Sequence, residues 1–184
     1  MGASPDTTTV GSTSPRKYDG RHFLWEKDKE ALWRFYESGR RCDYVIKADD
    51  DTFVFVENFK WLMSNRTPEA AEFFGFPFRK YGGAGYVLSR GAFLRFVETG
   101  LRNVNSTCPK VYATFGEDIS MGNCLRNLNV SFVDTRDERK RHRFLPEHPE
   151  EYLPPKEGGF VQTAWDKFPV YLVSIGYMTR LRTE

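Results

Sequence analysis

The chain has 184 residues, 40% of them hydrophobic, and its 27 basic and 25 acidic residues give a formal net charge of +2. This length suits one domain or a piece of a larger one, and the apolar content is ample for a core. The near balance of charge excludes a strong electrostatic case for nucleic-acid binding. The sequence predicts neither a membrane span nor a secretory signal, because it has no run of about 18 apolar residues.

The first predicted elements are a disordered tail, a helix and a strand. Residues 1–19 are rich in Ser, Thr, Gly and Pro, a composition typical of disorder. Apolar residues between Leu24 and Tyr36 recur with a spacing that predicts a helix with one broad buried face, and Gly39 is a suitable stop. The apolar residues that follow predict a buried strand over residues 43–48.

Three consecutive carboxylates, Asp49, Asp50 and Asp51, come directly after this strand. Most acidic runs are solvated turns or helix N-caps, and that interpretation stays open. However, strand ends in open α/β sheets border the crevice in which ligands bind. Hard cations such as Mg²⁺ or Mn²⁺ prefer oxygen ligands, often shared between carboxylates and phosphates. The run therefore predicts a site for a cation and a diphosphate.

Alternating helices and strands follow the acidic run. The pattern predicts a helix over residues 57–63 and strands over residues 73–78 and 86–89. Ser89 is placed to cap a further helix that runs to Gly100. Such alternation indicates an α/β layered domain.

Two later segments each allow a structural and a functional interpretation. The glycines of Tyr81–Gly85 would let backbone amides approach a sugar or a diphosphate, but a tight hairpin with positive φ fits the same residues. Glu117 and Asp118 stand at the predicted start of a helix, where negative charge favours the positive end of the dipole. The same position suits a general base, which needs a carboxylate near an acceptor hydroxyl.

Six segments between residues 20 and 150 carry the most specific signal. They are GRHFLWEK at 20–27, DYVIKADDDTFVFVENFKWLM at 43–63, GGAGYVLSRGAFLRFV at 82–97, GEDISMGNCLRNLNV at 116–130, DTRD at 134–137 and FLPEH at 144–148. In this order and spacing they resemble the family 31 glycosyltransferases, which are inverting β1,3-sugar transferases. Within that family they are most similar to the core 1 β1,3-galactosyltransferase branch.

The resemblance implies a fold and a reaction. The fold is α/β, in the form of a partial GT-A type nucleotide-sugar transferase fold with a mixed sheet flanked by helices. The reaction is inverting, metal-dependent transfer of galactose from UDP-galactose to GalNAc that is O-linked to Ser or Thr of a glycoprotein. The cofactor implied is Mn²⁺ or Mg²⁺, and no nucleic acid takes part.

The resemblance also gives roles to the residues of the acidic run and of the Glu-Asp pair. Asp51, together with Asp49, would bind the cation, and Asp49 and Asp50 would contact the nucleotide or its phosphates. Asp118 would be the catalytic base, with Glu117 as the less favoured choice. The other expected donor contacts are Lys27 and the backbone of Gly82, Gly83 and Ala84. For Lys27, an ordinary surface position on its helix stays open as the alternative.

A cellular setting is implied as well. By count alone, three cysteines require neither a zinc site nor a disulfide. Relatives pair cysteines at the positions of Cys108 and Cys124, which would leave Cys42 unpaired. A disulfide fits the Golgi lumen, where relatives are single-pass type II membrane proteins, although this chain shows no such anchor. Whether the protein forms a homodimer stays open.

The chain departs from the family pattern in three places. The anchor, the stem and the first nucleotide-binding half of relatives are missing, and the stretch before Gly82 is short. Gly176 stands where relatives have a metal-ligating histidine in an apolar strand. We therefore expect a tail at residues 1–19, the C-terminal part of a GT-A domain at residues 20–150, and a diverged segment at residues 151–184.

These departures keep two alternatives open besides a galactosyltransferase that is truncated or inactive. One is a β1,3-N-acetylglucosaminyl or fringe-like transferase, because the acidic run and the Glu-Asp pair are shared across the family. The other is a non-catalytic, chaperone-like paralogue, which the missing histidine favours and the intact acidic motifs disfavour. The identities of the donor sugar and of the acceptor are not fixed by the sequence.

Overall fold

A computed structural model describes residues 23–76, 84–103, 105–106, 108, 116–146 and 172–176. The expected tail at residues 1–19 and most of the segment at residues 151–184 lie outside these ranges. None of the helices in the described part is long and apolar enough to cross a bilayer. In chain order the elements are α1 (Leu24–Glu37), β1 (Tyr44–Lys47), β2 (Phe53–Val54), α2 (Val56–Met63), β3 (Glu72–Gly75), β4 (Tyr86–Ser89), α3 (Arg90–Arg95), a π-helix (Phe96–Leu101), α4 (Glu117–Asn127), β5 (Ser131–Phe132), β6 (Phe144–Leu145) and β7 (Ser174–Ile175).

The larger sheet is mixed and has the strand order β1-β4-β3-β5. β4 is antiparallel to both β1 and β3, whereas β3 and β5 run parallel. A smaller sheet has the order β2-β7-β6. The predicted α/β class with a mixed sheet is confirmed.

β4 lies between two apolar layers. Alternate side chains of a strand point to opposite faces, and Tyr86 and Leu88 pack into a core with residues of α1, α3, the π-helix and α4. Val87, between them, packs into a second core that includes Met63 of α2 and Phe144 of β6. Every residue of β4 is buried as a result. The layered arrangement predicted from the alternation of elements is therefore confirmed.

Two helix boundaries agree with the signals in the sequence. Gly39, just beyond the end of α1, has a φ of +67°, a value that glycine adopts without steric cost. Ser89 caps α3, since its hydroxyl accepts a hydrogen bond from the Ala92 N–H at 3.1 Å.

Two expectations about this region were wrong, and a third was confirmed with a change of helix type. β1 is half-buried rather than buried, because it is the last strand on its side of the described sheet. The helix after Ser89 does reach Gly100, although its backbone widens from an α-helix into the π-helix at Phe96. The strand expected over residues 73–78 begins at Glu72 and ends at Gly75. Apolar periodicity indicates which residues face the core, but it does not fix these details of the backbone.

Candidate active site

The acidic run forms a turn at the carboxyl end of β1. The Thr52 N–H donates to the Asp49 carbonyl at 3.1 Å and closes the turn. Asp49 and Asp51 are half-buried, and Asp50 is exposed. The run thus follows a strand as predicted, although that strand is not an inner one.

Gly85 allows β4 to begin directly against this end of β1. Its φ is +75°, and a Cβ there would lie 2.3 Å from the Lys47 carbonyl oxygen. At Gly85, glycine is therefore needed for the positive φ and for the close contact between the two backbones, which is the structural interpretation of this segment. Gly82 and Gly83 lie outside the described residues. Ala84 is buried, and its carbonyl accepts from the Ser174 hydroxyl at 2.6 Å.

The Glu-Asp pair opens α4 as the sequence predicted. Glu117 is buried, with 8% of its surface exposed, and Asp118 is half-buried. The first turn is fixed by Ser120, whose N–H and hydroxyl both donate to the Gly116 carbonyl. α1 and the π-helix pack against α4, so the pair is held by the same core that supports β4.

Lys47, the last residue of β1, joins the acidic run to the Glu-Asp pair. Its Nζ atom lies 2.6 Å from Asp49 Oδ1 and 3.2 Å from Glu117 Oε1. The lysine side chain is only 16% exposed. Two acidic segments about 70 residues apart in sequence are thereby brought to one place. Sequence reasoning missed Lys47, and the only signal for it was a lysine that interrupts apolar residues just before three carboxylates.

Asp28 of α1 and Tyr86 of β4 also belong to this cluster. The Tyr86 hydroxyl donates to Asp28 Oδ2 at 3.1 Å. Burial raises the pKa of Asp28 to about 6, although Lys47 acts in the opposite direction. Lys27, the neighbour of Asp28 in sequence and an expected contact of the sugar donor, is half-buried on α1. Asp28 escaped prediction because a single carboxylate on a charged helix looks like an ordinary surface residue.

The cluster combines four carboxylates with the Lys47 ammonium, so its charges interact strongly. Burial tends to lower the pKa of Lys47, but Asp28, Asp49 and Glu117 outweigh this and raise it. Burial and the hydrogen bond with Glu117 raise the pKa of Asp118 to about 7. Burial opposes ionisation of Glu117 too, but Asp118 and Lys47 hold its pKa below the ordinary value. Glu117 is therefore the ionised member of the pair, and Asp118 gains or loses a proton near neutral pH.

The donor atoms of the acidic run suit a hard cation only if other ligands complete the set. Among the described residues, no group of three or more His, Cys, Asp and Glu side chains is arranged to hold a metal ion. Divalent cations in phosphate-transfer sites commonly use one or two carboxylates plus phosphate oxygens. Since Asp49 Oδ1 is engaged by Lys47, Asp51 is the better placed protein ligand. A diphosphate would supply the remaining oxygens.

Gly176, which stands where the resemblance expects a metal-ligating histidine, lies close to the acidic run. In the antiparallel pair of β2 and β7, Phe53 lies opposite Ile175. One further step in this register puts Gly176 opposite Thr52, which is the neighbour of Asp51. A histidine at position 176 would thus be close to the acidic run, whereas glycine offers no side chain there.

The disulfide expected from the resemblance is present between Cys108 and Cys124. Cys124 lies on α4, and both cysteines are buried in the core beside β4. Cys42 is free and half-buried. The bridge therefore anchors the helix whose first turn carries Glu117 and Asp118.

Comparison with known proteins agrees with the motifs. The chain is 42% identical over 118 residues to glycoprotein-N-acetylgalactosamine 3-beta-galactosyltransferase 1 of Xenopus laevis. The aligned part makes up 60% of this chain and 31% of that protein. The chain thus spans about a third of the length of this relative. No protein-family model matches the chain. The similarity confirms the resemblance predicted from the six segments.

Proposed function

We propose that the protein transfers galactose from UDP-galactose to GalNAc O-linked to Ser or Thr of a glycoprotein, with inversion at the anomeric carbon. The observation that carries the proposal is the contact of Lys47 with both Asp49 and Glu117. It brings the expected donor-binding run next to the expected base. The relative from Xenopus laevis bears the name of such a galactosyltransferase.

In the proposed reaction, Asp118 takes the proton from the acceptor hydroxyl while that oxygen attacks the anomeric carbon. A carbon–oxygen bond to the acceptor forms as the bond to the diphosphate breaks, and UDP leaves with the electron pair. A base with a pKa of about 7 is half ionised near neutral pH, which is the range in which general-base catalysis is most efficient. Glu117, held by Lys47, keeps Asp118 in place and is not itself consumed.

Asp51 would hold the cation together with oxygens of the donor diphosphate. When bound, such an ion neutralises the charge that develops on the departing UDP. Asp49 then has a different principal task, because it fixes Lys47 at 2.6 Å. The exposed Asp50 is available to the nucleotide. Contacts of the donor with Lys27, Gly82, Gly83 and Ala84 are part of the same proposal.

The full chain, incubated with UDP-galactose, Mn²⁺ and a peptide that carries O-linked GalNAc, tests the activity. We expect release of UDP and a peptide heavier by one hexose, with UDP-GlcNAc giving little product. Product with UDP-GlcNAc alone would replace the proposed donor and favour a fringe-like transferase. Absence of product with either donor would contradict the proposal.

A non-catalytic role is the second candidate, because Gly176 supplies no ligand where relatives have histidine. This candidate predicts that the chain binds neither Mn²⁺ nor UDP, and calorimetric titration measures both. Binding of UDP that strengthens when Mn²⁺ is added would exclude it. Absence of a binding signal for both Mn²⁺ and UDP would favour the non-catalytic role over the transferase.

Replacing Gly176 with histidine should strengthen Mn²⁺ binding. The β2–β7 register brings position 176 close to Asp51, and a neutral histidine is the commonest side-chain ligand of protein metals, so it would add one ligand to an incomplete set. We expect the Kd for Mn²⁺ in the presence of UDP to fall about tenfold, which corresponds to about 1.4 kcal/mol. Titration calorimetry gives the value. Gly176→Leu is the control, since it adds similar bulk without a nitrogen, and equal binding by both variants would contradict this placement.

A further inference from the structure

Two segments of the chain, each beginning with an exposed asparagine, have the sequence of acceptors for N-linked glycans. They are Asn129-Val130-Ser131 after α4, and Asn105-Ser106-Thr107 before Cys108. The pattern Asn-X-Ser/Thr, with X other than proline, is the acceptor sequence for this modification in secreted proteins. Neither segment belongs to the proposed active site.

We infer that Asn129 and Asn105 are N-glycosylated when the protein folds in the secretory pathway. The co-reactant is an oligosaccharide carried on a lipid diphosphate. The Asn side-chain nitrogen forms a bond to the anomeric carbon of this oligosaccharide and loses a proton, while the bond to the diphosphate breaks and the lipid diphosphate leaves. The inference does not depend on the proposed sugar transfer by this protein.

The backbone at Asn129 presents the side chain to solvent. Asn129 is exposed and has a φ of +55°, in the turn that ends α4. Its N–H donates to the Arg126 carbonyl, and its own carbonyl accepts from Arg95 Nη1 at 2.9 Å. These bonds use only the main chain of Asn129, so its side-chain carboxamide takes no part in them and is exposed to solvent. A glycan on that nitrogen would not disturb them.

The serine of this acceptor sequence is exposed together with the asparagine. Val130 is buried, with 8% of its surface exposed, whereas Asn129 and Ser131 on either side are exposed. Solvent therefore reaches both residues that a transferase must recognise. Ser131 belongs to β5, which is the end strand of the larger sheet in the described part of the chain. No further described strand covers the outer edge of β5.

Asn105 lies in an exposed turn that leads to the disulfide. Its N–H donates to Asn103 Oδ1 at 2.9 Å, and the Cys108 N–H donates to the Ser106 hydroxyl at 3.1 Å. These local bonds hold the turn from within and do not use the Asn105 carboxamide. A glycan here would project from the surface beside the bridge.

The disulfide provides the independent reason to expect the modifying machinery. Disulfides form and persist in the endoplasmic reticulum and beyond, and they are rare in the cytosol. Cys108 and Cys124 are bonded and buried. A chain that acquires this bridge during folding passes through the compartment in which lipid-linked oligosaccharides are transferred.

A glycan on Asn129 and the proposed active site would lie at opposite ends of α4. Asn129 follows its last turn, and Glu117 and Asp118 form its first. The helix has 11 residues and is therefore about 16 Å long. A glycan on Asn129 is expected to leave the proposed active site accessible.

A third sequence of this type, Asn65-Arg66-Thr67, is excluded from the proposal. Asn65 is exposed, but Pro68 follows Thr67 directly. The residue before a proline is restricted to extended backbone, which limits how the Thr67 hydroxyl can be presented to a transferase.

The test is expression of the full chain, directed into the secretory pathway of eukaryotic cells. We expect a ladder with two steps in gel mobility that collapses to one band after enzymatic removal of N-glycans. Mass spectrometry of the released peptides should show Asn converted to Asp at positions 105 and 129. Each of the variants Asn105→Gln and Asn129→Gln should lose one step.

The serine and threonine positions provide the matched controls. Ser131→Ala should lose the glycan at Asn129 although the asparagine is kept, and Ser131→Thr should retain it. Thr107→Ala and Thr107→Ser form the same pair for Asn105. Unmodified Asn105 and Asn129 in protein that has formed the Cys108–Cys124 bridge would overturn the inference. Protein that leaves the cells with both cysteines reduced would overturn it too.

Discussion

Asp118→Asn is expected to lower the rate of galactose transfer by about 10²–10⁴-fold, the usual contribution of a general base. The amide keeps the size of the side chain at the start of α4 but cannot accept the proton of the acceptor hydroxyl. The measurement is kcat with saturating donor and acceptor. Asp43→Asn is the matched control, because Asp43 is an exposed partner of Arg90 at the other end of β1, and its rate should not change.

The pH dependence distinguishes Asp118 from Glu117 as the base. The rate should rise with pH through about 7, since burial and Glu117 raise the pKa of Asp118 to that value and only the ionised form is active. Glu117→Gln removes the neighbouring charge and should move this midpoint to lower pH while activity is retained in part. If Glu117→Gln is instead the more damaging change, the two roles are reversed.

Lys47→Met is expected to reduce the free energy of unfolding by about 2–4 kcal/mol at pH 8. Removing one partner of a buried ion pair leaves the other charges uncompensated, and here Asp49 and Glu117 both lose a contact. Urea denaturation measures the change. Lys60→Met is the matched control, because Lys60 pairs with a Glu57 side chain that is 84% exposed, and its loss should be less than about 0.5 kcal/mol.

The loss caused by Lys47→Met should also depend on pH. Asp28 and Asp118 have raised pKa values in the folded protein, so the folded state binds more protons than the unfolded state between about pH 4 and pH 7. The contribution of these two groups to the free energy of unfolding is fully present below the ordinary carboxyl pKa. It is lost as the pH rises through their pKa values in the folded protein. Without Lys47 this loss grows, so the variant should approach wild-type stability near pH 4. An equal deficit at pH 4 and pH 8 would mean that packing of the lysine stem, not its charge, is responsible.

Local signals in the sequence were sufficient for several elements of the fold. β4 has its predicted bounds, Ser89 caps α3, and α4 begins at the Glu-Asp pair. Each of these depends on residues within a few positions of one another, such as a serine before a helix. Trp61 shows the limit of such signals, because this large apolar residue of the predicted helix over residues 57–63 is 47% exposed. Only the neighbouring layers decide which side of a short helix is covered.

The sequence by itself determined the family resemblance, the α/β class and the two acidic segments, because each is encoded in contiguous residues. The tertiary structure alone decided how those segments meet. Lys47 reaches Glu117 across 70 positions and Tyr86 reaches Asp28 across 58, contacts that exist because β1 pairs with β4 and α1 packs on α4. Such contacts leave no local pattern, since the charges interact only after the chain has folded and excluded water from between them.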